Sequence, residues 1–288
     1  MKAIPRERLE KTLARVARDQ GLDQERLRRW VSFLALCGVL ERAIHDRVIP
    51  NYYLKGGVAM ELRFAGAARA TKDLDLGLAG ERAARLEALE AALKLSFDEF
   101  TFRMRPQVLN MERADTVRIE VAILYRTRSW QTVEVDLGPS GADEVDLVRP
   151  AIVGLVEMGI PLTSPVRCLS LSEQVAQKLH ACTGPVAAGR SRDVLDILLI
   201  DLLGELDYAK TRIAAERVFA DRGTHPFPPQ YAPPASWQLE LETTAASLGF
   251  PATGAPEIDE RFRALLTAIA TADTSKQRRL EALTELAD

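Results

Sequence analysis

A glycine pair just after an apolar run, followed farther on by two aspartates separated by one residue, restricts this chain more than any other feature. The segment reads Tyr52-Tyr53-Leu54-Lys55-Gly56-Gly57-Val58 and leads to Arg69-Ala70-Thr71-Lys72-Asp73-Leu74-Asp75-Leu76. The apolar run predicts a short strand at 52–54, and 58–64 predicts a helix. Glycines between them let the backbone turn tightly and bring amide N–H groups close to an anion, and the helix N-terminus adds its own. Asp73 and Asp75 belong to a strand predicted around 74–78, where alternation points both carboxylates to one face. Like charges held that close repel, whereas hard oxygen ligands so placed suit Mg²⁺ bound against a triphosphate. A glycine pair alone also fits an ordinary turn, and an acid pair alone fits a solvated edge strand. Their conjunction predicts a metal and nucleoside-triphosphate site.

The pattern around this segment predicts the layout. Residues 6–46 carry helical periodicity, with Leu27, Val31, Leu34 and Leu36 among the apolar positions and Asp23 as a cap. Further strands are predicted at 100–104, 117–125 and 131–137, with a helix near 81–95. Val117-Arg118-Ile119-Glu120-Val121-Ala122-Ile123 alternates as a half-exposed sheet member should. From Ser172 onward helices dominate, near 172–182, 191–203, 207–221, 235–248, 257–271 and 275–286. Prolines at 226, 228, 229, 233 and 234 interrupt them. The expected class is α+β: N-terminal helices over 1–46, a mixed-sheet lobe over 47–165 and a helical C-terminal lobe over 166–288.

Composition narrows the setting. A chain of 288 residues, 47% hydrophobic and 27% charged, can bury a large core and has no apolar run long enough for a transmembrane helix. The sequence 1–6 has no apolar signal core, so the expected location is cytoplasmic and no membrane partner is expected. Cys37, Cys168 and Cys182 are odd in number and lack metal spacing, which argues against a disulfide framework or a zinc site. With a net charge of −3 the chain has no bulk attraction for nucleic acid, so a polyanion would need a local basic patch.

Other acids and cations extend the site. Val133-Glu134-Val135-Asp136 offers two candidates for a third metal ligand, again on one face, and spacing does not choose between Glu134 and Asp136; Glu120 is the outsider. In the amphipathic stretch 173–181, Lys178 lies beside the apolar stripe, where it either snorkels or reaches phosphate oxygens as a point charge. His180 has no ligand partner at metal spacing and reads as a packing residue. Arg190-Ser191-Arg192-Asp193-Val194-Leu195-Asp196 opens a helix on which Asp193 and Asp196 share a face.

These blocks together resemble the nucleotidyltransferases of the AbiEii/AbiGii toxin family, including the MenT-type toxins of toxin–antitoxin pairs. The resemblance rests on Lys55-Gly56-Gly57 with the helix to Arg63, on 69–75, on Gln177-Lys178-Leu179-His180-Ala181, and on 190–196. It covers residues from about 50 to 200; the flanking segments match in character only. It implies a DNA polymerase β-like nucleotidyltransferase fold, with Asp73 and Asp75 as metal ligands beside Glu134 or Asp136, and Lys178 and Asp193 as further active-site residues. Lys55, Gly56, Gly57, Arg63, Thr71 and Lys178 become the nucleotide-binding candidates. It also implies RNA, in particular tRNA, as acceptor, and a cognate antitoxin as partner, while the acidic pair with a third acid is itself read as a site for two Mg²⁺ ions against an NTP substrate. Arg192 departs from the family pattern, which often has lysine there.

The resulting expectation is a Mg²⁺-dependent toxin that moves a nucleoside monophosphate from an NTP to an RNA 3′ end, most simply that of tRNA, and so inhibits translation. A protein or small-molecule acceptor, or a catalytically silent nucleotide- or antitoxin-binding module, are the rival readings. Arg63, Arg69, Arg190 and Arg192 are the nearest candidates in sequence for contacts to RNA phosphates.

Overall fold

Alternation along the central strands decides which side of the sheet becomes core. In the computed structural model, residues 5–279 are described apart from 111–114, 142–143, 153–157, 159, 161–164, 186, 188 and 253, with only the backbone described for 106–110. Two compact units result, Met1–Leu169 and Ser170–Asp288.

The first unit runs α1 (Arg6–Asp19), α2 (Gln24–His45), β1 (Tyr53–Lys55), α3 (Gly56–Phe64), a 3₁₀ turn (Ala65–Ala67), β2 (Asp73–Leu78), α4 (Arg82–Leu93), β3 (Phe100–Asn110), β4 (Val117–Tyr125), β5 (Arg128–Pro139), β6 (Val145–Val148) and β7 (Val166–Leu169). Among the described residues the strands form one seven-stranded mixed sheet in the order β3-β4-β5-β2-β1-β7-β6. β3, β4 and β5 make an antiparallel meander. β2 then lies parallel to β5 and antiparallel to β1. The class is α+β.

Odd positions of β4, Val117, Ile119, Val121, Ile123 and Tyr125, are buried, as are Val133, Val135 and Leu137 of β5 and Leu74, Leu76 and Leu78 of β2. Their apolar face joins a single cluster with Leu27, Trp30, Phe33, Leu34 and Cys37 of α2 and Leu89 of α4. Fully burying one such aliphatic side chain stabilises by about 1.5–3 kcal/mol before chain entropy is subtracted. Within the cluster the Phe100 ring lies 4.9 Å from Tyr125 and 6.1 Å from Trp130. The Trp130 indole donates to Ser32 Oγ at 3.0 Å, so its one polar atom is satisfied. Asp23 caps α2 by accepting from the Arg26 amide at 2.8 Å. The three cysteines are buried and free.

The second unit is helical: α5 (Leu171–Thr183), α6 (Ser191–Leu203), α7 (Tyr208–Arg222), α8 (Trp237–Leu248) and α9 (Ala255–Thr271). The helix expected over 275–286 is present over 275–279, and the rest lies outside the described residues. No helix among the described residues is long and apolar enough to cross a membrane.

Three elements differ from the sequence reading. β3 extends to Asn110, past the predicted end at 104. β6 and β7 are four residues each, Val-Asp-Leu-Val and Val-Arg-Cys-Leu, too short for periodicity to declare.

Candidate active site

Register across the sheet assembles the acidic face. Asp73 and Asp75 of β2 lie opposite Glu134 and Asp136 of β5. On the far side of β5, Glu134 faces Glu120 and Asp136 faces Arg118 of β4. On the other side of β2, Asp75 faces Lys55 of β1. Because paired residues share a face, Arg118, Asp136, Asp75 and Lys55 form one row across four strands, and Glu120, Glu134 and Asp73 form the next. The opposite face is the apolar one, so burial of the leucines and valines turns the acids outward from the core.

The sequence reading missed Arg118, which stands among the acids. Its Nε and Nη2 donate to Oδ1 and Oδ2 of Asp136, both at 2.7 Å. Nη2 also reaches Asp73 Oδ2 at 3.3 Å, and Nη1 reaches Glu134 Oε2 at 3.1 Å. The hydrogen-bonded Asp136 carboxylate, with the charges of Asp136, Glu134 and Asp73, raises the guanidinium above its ordinary, already high value, outweighing the effect of burial. A signal was present: the alternation that puts Glu120 on the polar face puts Arg118 there too. Glu120, the outsider, is paired with Arg105 at 2.8 Å. Of the two candidate third acids, Asp136 is buried, whereas the Glu134 side chain is half exposed.

The glycine pair has a steric reason to be glycine. Gly56 sits at φ +61°, and a Cβ there would lie 1.9 Å from Asp75 Oδ2. A Cβ on Gly57 would lie 2.8 Å from the Thr71 side chain. The start of α3 is therefore pressed against Asp75 and Thr71, with the Asp75 carboxylate at the helix N-terminus, where negative charge is favoured. Gly56→Ala combines a left-handed backbone, which costs a non-glycine residue about 1–2 kcal/mol, with displacement of Asp75. A Tm lowered by several degrees, together with loss of activity, is the expected result; a Gly56→Ala protein that unfolds like the wild type would contradict this packing.

Further contacts aim Asp73. Thr71 is buried; its hydroxyl donates to Asp73 Oδ1 at 3.0 Å, and its amide donates to Glu61 Oε2 at 3.2 Å. Glu61 of α3, almost fully buried, accepts from Arg26 Nε of α2 at 2.7 Å. Arg26 Nη2 also donates to the carbonyls of Ala65 and Ala68. One guanidinium thus fixes the loop that delivers β2.

Arg63 is committed elsewhere: its guanidinium donates to Asp146 Oδ2 at 3.0 Å and to the Leu169 carbonyl at 2.8 Å, tying α3 to β6 and β7. Lys55 extends over the acidic face, its Nζ 3.1 Å from where a Cβ on Gly138 would lie.

In the second unit, Lys178 of α5 is buried between two acids of α6. Its Nζ donates to Asp193 Oδ1 and Asp196 Oδ2, both at 2.7 Å. Asp196 is fully buried, and Asp193 is nearly so. Arg190 reaches the other Asp193 oxygen at 3.3 Å, and Arg192 pairs with Glu240 at 3.2 Å. The i, i+3 spacing of the two aspartates makes the cluster possible. His180 packs edge-on to Phe219 and is bonded to Thr224 at 2.8 Å. Burial first, then Arg222 and His225, push its pKa down to about 4, so it is a neutral packing residue at pH 7.

Carboxylate oxygens on two adjacent strands form a hard donor set suited to Mg²⁺. Among the described residues no three His, Cys, Asp or Glu side chains are gathered closely enough to hold an ion as they stand. The Arg118 guanidinium lies between them.

A family model described as "Nucleotidyl transferase AbiEii toxin, Type IV TA system" matches residues 38–283. Among solved structures, MenT4, a nucleotidyltransferase toxin from Mycobacterium tuberculosis H37Rv, is similar with a TM-score of 0.58. That alignment covers 93% of this chain and 92% of MenT4 at 14% identity, a likeness of fold. The antibiotic-resistance factor ANT(2'')-Ia aligns over 68% of this chain and 93% of its own, with a TM-score of 0.40 and 18% identity. No curated protein matches the sequence.

Proposed function

Because the chain belongs to the AbiEii nucleotidyltransferase toxin family of type IV toxin–antitoxin systems, we propose that its acidic face transfers a nucleoside monophosphate from an NTP to the 3′ end of an RNA, with tRNA as the acceptor. The observation that carries this reading is the register of β2 on β5, which sets Asp73 and Asp75 beside Glu134 and Asp136, with Asp75 against the N-terminus of α3.

Asp73, Asp75 and Asp136 are the residues that would hold Mg²⁺; Asp136 is preferred to Glu134 because it is buried and in register with Asp75. When bound, the metal supplies neutralisation of phosphate charge and lowers the pKa of the attacking hydroxyl. Amides in the first turn of α3 and the ammonium of Lys55 supply fixed positive ends for the triphosphate. Thr71 and Glu61 hold Asp73 in place, so less reorganisation is needed during reaction. Lys178 and Asp193 are kept as active-site residues on the family resemblance, with Asp193 and Asp196 orienting the ammonium. A cognate antitoxin is the expected protein partner.

The test is incubation with each α-labelled NTP, Mg²⁺, and total RNA together with total protein. Label in a tRNA-sized RNA, lost with EDTA and with Asp75→Asn, is the expected outcome. Label confined to protein would sink the RNA reading and leave the transferase one. Expression without the antitoxin should arrest growth in the same Asp75-dependent way.

A further inference from the structure

Arg118 uses all three guanidinium nitrogens on the acidic face, two of them on Asp136 and Asp73, which are assigned above to metal binding, and the third on Glu134. Asp136 is gripped through both oxygens at 2.7 Å, and Asp73 and Glu134 are reached at 3.3 and 3.1 Å. Two parallel charged hydrogen bonds to one carboxylate are among the strongest contacts a side chain makes. Four acids on one face of two adjacent strands would otherwise repel one another across a single strand spacing. One positive charge in contact with three of them, Asp73, Glu134 and Asp136, relieves that repulsion as a divalent cation would.

We propose that Arg118 is the resident counter-ion of this site: it holds the carboxylates in the metal-free protein and must release Asp73 and Asp136 before a divalent ion can bind. The inference rests on the metal reading of Asp73, Asp75 and Asp136. Metal and guanidinium compete for the same oxygens, so the free protein binds divalent ions weakly. An incoming triphosphate brings new anionic oxygens to which the displaced guanidinium can turn. Metal affinity therefore rises when the nucleotide is present, and the site assembles only with its substrate. Arg118 is thus a positioning residue in the free protein and a contact to the triphosphate once displaced.

The test is calorimetric titration of Mn²⁺ into the full chain, with and without a non-hydrolysable NTP analogue, for wild type, Arg118→Met and Asp73→Asn. Arg118→Met should bind Mn²⁺ roughly tenfold more tightly than wild type without nucleotide, a shift in the ordinary range of site-to-site coupling. Its gain from the analogue should shrink, and its metal-free Tm should fall and be restored by Mn²⁺. Asp73→Asn should weaken binding both with and without the analogue. If wild type binds Mn²⁺ and Arg118→Met binds it no more tightly, the counter-ion proposal is overturned while the metal reading stands. If neither binds Mn²⁺ even with the analogue, the metal reading fails and takes the proposal with it. Should Arg118→Met not fold, Arg118→Lys carries the same comparison, since it keeps one charge and loses the three-way grip; an affinity no higher than wild type would again overturn the proposal.

Discussion

Lys178→Met is expected to destabilise the second unit by about 3–5 kcal/mol, the usual cost of removing one partner from a buried charge cluster. The ammonium lies 2.7 Å from both Asp193 and Asp196, and all three side chains are buried. Removing it leaves two carboxylates facing each other in a poorly hydrated place. Asp196→Asn should cost nearly as much, since Asp196 is fully buried. Asp193→Asn should cost less, because Arg190 is within 3.3 Å of its second oxygen and can reorganise. Combining Lys178→Met with Asp193→Asn and Asp196→Leu should recover much of the loss, as apolar replacement of buried ion clusters often does. Urea unfolding of the set measures this. A Lys178→Met midpoint equal to wild type would show that the cluster contributes nothing to stability. If that stable protein also lost NTP affinity, Lys178 would be a nucleotide contact and little else.

Part of this cluster was legible in the sequence and part was not, and the reason is physical. An amphipathic stretch tells which residues lie near the apolar stripe; it does not tell whether a lysine at its edge points to solvent or into a neighbouring helix. The spacing of Asp193 and Asp196 supplied their shared face, but only packing of α5 on α6 brings Lys178 between them. The acidic face was more legible, because strand alternation is local and survives folding: Asp73 and Asp75, and Glu134 and Asp136, could be paired by parity alone. Register is not local. That Asp75 meets Asp136, and that Arg118 lies one strand beyond, follows from strand order, which no spacing reveals. The same limit hid the Arg26–Glu61–Thr71 support, whose members come from two helices and the loop before β2. The glycine pair was legible as a turn before a helix, whereas its steric cause, the approach of Asp75 and Thr71, required the fold.

Asp75→Asn is expected to reduce nucleotide transfer by at least about 10²–10³-fold, the loss typical when one charge-stabilising group leaves a preorganised site. The fold should remain intact, because Asn fills the same space beside Gly56 and keeps an oxygen there. Asp73→Asn should match it in activity; relief of like-charge crowding would argue for a gain in stability, but Arg118 already neutralises that face and loses a 3.3 Å partner in the variant. A Tm within a few degrees of wild type is therefore expected for both variants. The third acid is separated by a paired comparison. Asp136→Asn should lower turnover on the same scale as Asp75→Asn, while Glu134→Gln should lower it by no more than about fivefold, the ~1 kcal/mol ceiling for an exposed ion pair. Steady-state transfer with each folded variant, at saturating Mg²⁺ and NTP, makes the measurement. Equal losses for Glu134 and Asp136 would mean that both carboxylates serve the metal. Full activity in a folded Asp75→Asn protein would remove the acidic face from the mechanism altogether, whatever the family resemblance implies.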